Sequence, residues 1–164
     1  MRRVVIAVAV VLVAVLAVGT AAAKSRGGDP LTVPAAGTFT TPGVRVPFLG
    51  ELTVYRFGAI DNQLVVDGEL STASDEPFGP LEVTVVAVAS PSADPTTGDC
   101  TVRIGMVSTI PVGESAMVEL TDPTFELGGR GTGLELCGVV KASEKDPFDQ
   151  DSIARALNRA LGMG

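Results

Sequence analysis

Gln63-Leu64-Val65-Val66-Asp67-Gly68-Glu69-Leu70 alternates apolar and polar side chains with a period of two. Successive strand residues point to opposite faces, so this pattern marks a half-buried β-strand. Leu64, Val66, Gly68 and Leu70 share one face, while Gln63, Val65, Asp67 and Glu69 fall on a mainly wet one. Immediately upstream, Glu51 to Ile60 alternates as well, with Thr53, Tyr55 and Phe57 on one side and Leu52, Val54 and Arg56 on the other. Asp61-Asn62 between them is two-residue turn chemistry, which predicts an antiparallel hairpin.

The same period recurs outward from this hairpin. Leu81 to Ala89 is almost wholly apolar and β-branched, as expected for a strand covered on both faces or turned toward a partner. Ser90 to Asp99 is a polar, proline-containing loop, and Cys100 to Val107 alternates again. Ala116–Leu120 and Thr124–Leu127 are further candidates, separated by Asp122-Pro123. The glycine-rich run from Gly128 to Gly133 reads as a turn, and Leu134–Val140 as a returning strand that carries Cys137. Only the end is helical: Ile153, Ala156, Leu157, Ala160 and Leu161 recur at the spacing of one helix face over residues 152–161. Asp151 or Ser152 can cap its start, and Gly162 can end it. The class that follows is mainly β, an antiparallel sandwich or half-open barrel of about seven to nine strands with a short C-terminal helix.

The N-terminus has a different character. Met1-Arg2-Arg3 precedes an unbroken run of Val, Ile, Leu and Ala from Val4 to Val18, and Ala21-Ala22-Ala23 follows. A basic start, an apolar stretch and a small-residue exit form a secretory signal segment, with cleavage expected between Ala23 and Lys24. The uncharged stretch from Val4 to Ala23 is also about long enough to stay as an N-terminal anchor. Arg2 and Arg3 would then keep its start in the cytoplasm, so the domain is expected outside on either reading. Residues 24–34, rich in Gly, Pro and polar side chains, read as a flexible tether, and residues 35–164 as one β-rich domain.

Without its first 23 residues the chain keeps 10 Lys and Arg against 19 Asp and Glu, a charge near −9. Binding to nucleic acid or an anionic membrane surface relies on clustered cations, so neither is an expected partner. Cys100 and Cys137 are the two cysteines, and in an exported domain two cysteines are expected to pair.

The chain has no His, which removes Ser-His and Cys-His nucleophile pairs and His-ligated metals. With the cysteines paired, no thiolate set remains for zinc or iron–sulfur, and no cofactor is expected. Paired carboxylates are the remaining catalytic option, with Asp61, Asp67, Glu69 and Glu82 as candidates; ordinary solvated strand faces explain them as well. Asp94 with Asp99, and Asp146 with Asp149 and Asp151, offer oxygen ligands of the kind calcium takes. Neither stretch follows the twelve-residue calcium-loop pattern, and Asp149 and Asp151 also suit a helix start. The Gly128–Gly133 run lacks the Gly-Lys-Ser/Thr of a phosphate loop and is expected to lead into a strand.

Thr38-Phe39-Thr40, the Asn62–Leu70 stretch and the later Cys100-x-x-x-Ile104 with Cys137 resemble a group of small exported bacterial β-rich proteins of unknown function. The chain departs from that pattern at Ile110-Pro111-Val112-Gly113, where a Gly-Pro-Leu segment would stand. The resemblance implies an exported, disulfide-bonded β-domain and carries over no active-site residue.

The functional expectation is a non-enzymatic exported domain that binds or scaffolds a partner at the cell surface. The alternative is a carrier of an apolar, lipid-like small molecule in a barrel cavity lined by Leu81, Val83, Val85, Ala87 and Ala89. A carboxylate-dependent hydrolase is a third reading.

Overall fold

Period-two alternation is realised as one continuous antiparallel sheet, which excludes the two-sheet sandwich. The structure, a computed structural model, describes residues 30–74, 76–93, 97, 99–128, 132–143 and 149–163. The expected cleavage site at Ala23 and Lys24, Asp94 and Asp146 lie outside these residues. Eight strands are formed: β1 (Leu31–Thr41), β2 (Val44–Ile60), β3 (Gln63–Thr72), β4 (Leu81–Ala93), β5 (Cys100–Met106), β6 (Thr109–Val112), β7 (Ala116–Leu120) and β8 (Thr124–Gly128). They lie in the order β6-β7-β1-β2-β3-β4-β5-β8 and curl into a half-barrel. Two helices follow, α1 (Thr132–Ser143) and α2 (Gln150–Leu161).

Turn chemistry sets the register. Asp61 and Asn62 both take positive φ, at 50° and 60°, as a two-residue hairpin turn of the primed kind requires. Pro42-Gly43 joins β1 to β2 with Gly43 at φ 84°, the backbone of a type II turn with proline first and glycine second. From that turn β1 and β2 pair without a break from Thr41↔Val44 to Leu31↔Val54. The β2–β3 register shifts between Val54 and Arg56, a bulge at Tyr55 that bends the long β2. Gly68 on β3 marks another tight point, because a Cβ there would press on the Thr53 carbonyl oxygen.

The concave face carries the core. Leu52, Val54 and Phe57 of β2, Leu64, Val66 and Leu70 of β3, and Val83, Val85 and Ala87 of β4 are all buried there. Each fully buried Val, Leu or Phe side chain among them is worth roughly 1.5–3 kcal/mol relative to exposure. The curl is tight enough to bring Phe57 and Phe125 of β8 to a ring separation of 6.5 Å. At the other end Phe78, from the β3–β4 connection, packs on Phe39 and Phe48 at 5.2 and 5.0 Å.

The two helices occupy the concavity, α2 against β2 and β3 and α1 against β4, β5 and β8. α2 starts at Gln150, two residues earlier than expected. Its N-cap is Asp149, whose side chain accepts the Ser152 N–H. Gly162 ends it at φ 70° with backbone bonds back to Arg159 and Asn158.

Three expectations need correction. Leu134–Val140 belongs to helix α1, so the Gly128–Gly133 run leads from β8 into a helix, and the described residues hold two helices where one was expected. Leu136, Cys137 and Val140 are buried, the one-sided spacing of a helix laid on an apolar sheet. The Cys100–Cys137 disulfide therefore ties β5 to a helix and does not join two strands. Finally, β1 begins at Leu31, inside the stretch read as a tether, and Leu31 and Val33 are core residues. Pro34 is accommodated because β7 flanks β1 only at Gly37 to Thr40, leaving Pro34 at an edge position.

Candidate functional site

The five positions proposed to line an apolar cavity lie along one face of β4. Val83, Val85 and Ala87 are buried in the core, and Leu81 and Ala89 are packed against it. α1 lies over β4 and β5, so protein covers this strip. Its other face is not covered, since Glu82, Thr84 and Val88 are exposed; of the two expectations for this strand, burial on both faces does not hold.

Hollows open at the margins of the helical plug. The larger has a volume of about 350 Å³ and runs between α1 and α2. Leu136 and Val139 form one wall, and Ala156 and Ala160 the other. The i, i+4 spacing of the two alanines leaves a smooth stripe along α2. Ser152, Arg155 and Arg159 line the rim, with both arginines exposed and Arg155 donating to the Ser152 hydroxyl at 3.1 Å. Elsewhere Arg45 is paired with Glu119 and Arg56 with Asp67, each at 2.7 Å. A second hollow of about 290 Å³ lies at the β2–β3 turn, bordered by Asn62, Gln63, Ala87, Ala89, Gln150 and Ile153 among others. Ala87 and Ala89 thus reach one of these hollows, while Leu81, Val83 and Val85 line neither.

The carboxylate candidates stand on the convex face or at its end. Asp61 is in the β2–β3 turn, Asp67 and Glu69 are on β3, and Glu82 pairs with Glu69 across the β3–β4 register. Asp67 accepts Thr84 Oγ1 and Arg56 Nε, both at 2.7 Å. Partial burial pushes its pKa up, but these two hydrogen bonds and the Arg56 charge outweigh that and hold it below the ordinary aspartate value. Desolvation, followed by the Glu69 charge, the Glu69 carboxylate that accepts its hydroxyl, and the Glu82 charge, holds the Tyr55 phenol above its usual value. This ladder is a solvated cross-strand network on the convex face of the sheet. Among the described residues no group of three or more Cys, Asp or Glu is placed to hold a metal ion. Of the calcium candidates within the described residues, Asp99 is exposed just before β5, Asp149 is spent as the α2 cap, and Asp151 sits in its first turn.

Val65, expected on the wet face, is 4% exposed. It packs over the bare Gly58 of β2 and faces Val86 of β4. Ile60, Val88 and Val107, at 53%, 65% and 47% exposure, surround this position as a convex apolar patch.

The groove between the helices was not legible as a site, since one wall belongs to a segment that reads as a strand. The available signal was Arg155 and Arg159 flanking Ala156 and Ala160, which reads first as a helix C-terminal charge preference.

The chain matches no known family model, no curated protein and no solved structure. No helix of the described residues is long and apolar enough to cross a membrane. The buried Cys100–Cys137 bond is compatible with an oxidising, extracytoplasmic location.

Proposed function

We propose that this chain is an exported, non-enzymatic binding domain whose ligand-contacting element is the groove between α1 and α2. The observation that carries this reading is the composition of that groove: apolar walls from two elements with two arginines on one rim. Apolar lining with a few placed polar groups is the usual make-up of a small-molecule site. Export rests on the N-terminal signal pattern and is consistent with the disulfide. The carrier alternative moves with this reading from the barrel interior to the helix pair, because the β4 strip is occupied by packing.

Native mass spectrometry of the protein purified from its own source tests the reading. A small molecule that co-purifies with the native chain, and is lost when Ala160→Leu fills the groove, supports it. A bare mass for the native chain, or a bound molecule retained by Ala160→Leu, counts against it.

Scaffolding of a protein partner is the second reading, favoured by the convex patch around Val65 and Val88. Under it, Val88→Lys would abolish partner binding while leaving the groove and the melting temperature unchanged.

A further inference from the structure

Independently of the groove, we infer that the outer edge of β8 receives an extended, basic segment of a partner protein as an added antiparallel strand. The first observation is how the sheet treats its other bare edges. Ala36, Val86 and Ser108 accept backbone bonds from Thr121, Val107 and Leu120, and Leu49 accepts one from Ala73. Because backbone groups alternate in direction along a strand, these bonds fix the side to which each residue turns. By that alternation Pro34, Pro47, Pro91 and Pro111 set the ring nitrogen where β1, β2, β4 and β6 have no neighbour. A proline at such a point withholds the donor that an incoming strand needs. Where β2 outruns β1, Asn158 closes the Phe57 backbone instead. The β4 edge ahead of Val86 turns toward β6, since the chain passes from the β4 bond at Val107 to the β7 bond at Ser108.

β8 carries none of these devices. The Met106 N–H donates to the Pro123 carbonyl at 2.9 Å, so Pro123, Phe125 and Leu127 turn toward β5. The N–H and C=O of Glu126 therefore point away from the sheet. β8 is the last strand in the order, and no group of the described residues bonds them. A free N–H and C=O on one residue is what an antiparallel strand pairs with when it extends a sheet.

Charge names the occupant. Phe125 and Leu127 are buried in the core, so Glu126 lies on the convex face. Its cross-strand neighbour Arg103 donates to Thr124 Oγ1, and among the described residues Glu126 has no ion pair. A cation directly opposite a carboxylate stabilises a strand pair, and a like charge weakens it. The acidic excess of the domain attracts the same kind of segment. Two copies of β8 paired about Glu126 would set carboxylate against carboxylate, which disfavours a second copy of this chain.

The test uses the oxidised chain and three capped pentapeptides: Thr-Val-Lys-Val-Thr, the same peptide with Glu at its centre, and the Lys peptide N-methylated at its central residue. Nuclear magnetic resonance titration reads both the site and the affinity. The Lys peptide should shift the amides of residues 124–128 and slow hydrogen exchange at the Glu126 N–H. The Glu peptide should bind roughly three- to tenfold more weakly. The N-methylated peptide, equal in charge but short of one donor, should lose at least roughly tenfold. Glu126→Lys should invert the order of the Lys and Glu peptides. Glu126→Pro should abolish binding of both, with circular dichroism showing the sheet retained; if that variant does not fold, Glu126→Lys and the N-methylated peptide decide.

No binding of the Lys peptide, shifts centred on another strand, or equal binding of the N-methylated peptide would overturn strand addition at β8. Equal binding of the Lys and Glu peptides at β8 would overturn the basic partner. A native dimer in sedimentation that Glu126→Pro or Glu126→Lys converts to monomer would make the occupant a second copy and overturn it as well.

Discussion

Asn158 on α2 closes the hydrogen bonding of Phe57 on β2: the Phe57 N–H donates to Asn158 Oδ1, and Asn158 Nδ2 donates to the Phe57 carbonyl, each at 2.8 Å. The pairing answers a defect in the sheet. β1 ends its register at Leu31↔Val54, so β2 beyond Val54 runs without a β1 neighbour, and Phe57 would expose both backbone groups. A side-chain amide carries one donor and one acceptor side by side and substitutes for the absent strand. Asn158→Ala should cost about 2 kcal/mol, two modest hydrogen bonds plus two partly buried groups left unpaired. Urea unfolding of the two proteins at equal slope measures it. Asn158→Asp should also destabilise, since a carboxylate has no donor for the Phe57 carbonyl.

Tyr55 is the single tyrosine in a chain without tryptophan, so its ionisation can be followed cleanly by ultraviolet absorbance. Because desolvation and the neighbouring Glu69 and Glu82 charges disfavour the phenolate, its midpoint should lie above the ordinary tyrosine value near 10. Glu69→Gln should bring it down. The sign for stability follows: a raised folded pKa contributes below the unfolded value and is lost as pH rises through the folded one. An unchanged midpoint in Glu69→Gln would show that the carboxylate is not responsible.

Asp67 works in the opposite direction. Its pKa is depressed, so its contribution is present above the unfolded value near 3.9 and is lost as pH falls through the lower folded value. Melting temperatures measured from pH 6 downward should fall more steeply for the native chain than for Asp67→Asn across that acid window. The two curves should converge at the lowest pH. Parallel curves would remove Asp67 from the account of acid sensitivity.

The disulfide closes a separation of 37 residues. A loop of that length predicts about 4 kcal/mol from restriction of the unfolded chain. Cys100→Ala with Cys137→Ala should therefore lower the urea midpoint substantially while far-ultraviolet circular dichroism keeps its sheet signal. A loss below about 1 kcal/mol would mean that the helix is held by packing alone.

The hairpin was legible because Leu64, Val66 and Leu70 alternate cleanly and Asp61-Asn62 allows one turn geometry. α1 was not, for a physical reason. Leu134 to Val140 is seven residues with Gly138, Val139 and Val140, poor helix formers in a length that satisfies either period. Its conformation is decided by the apolar concavity it covers, a tertiary influence that local pattern does not carry. The same holds for Leu31 and Val33: flanked by Pro30 and Pro34, they look like linker until β2 is present to pair with them. Since the groove needs both helices, its apolar walls became visible only with the tertiary structure.

Because α1 and α2 follow the whole sheet in the chain, the first hundred residues of the domain emerge as a sheet with one bare oily side. Until the final segments arrive and settle, that side has nothing of its own to lie against. A chain cut short before Thr132 would thus be sticky as well as incomplete, and whatever assists its folding must shield one broad face instead of scattered patches.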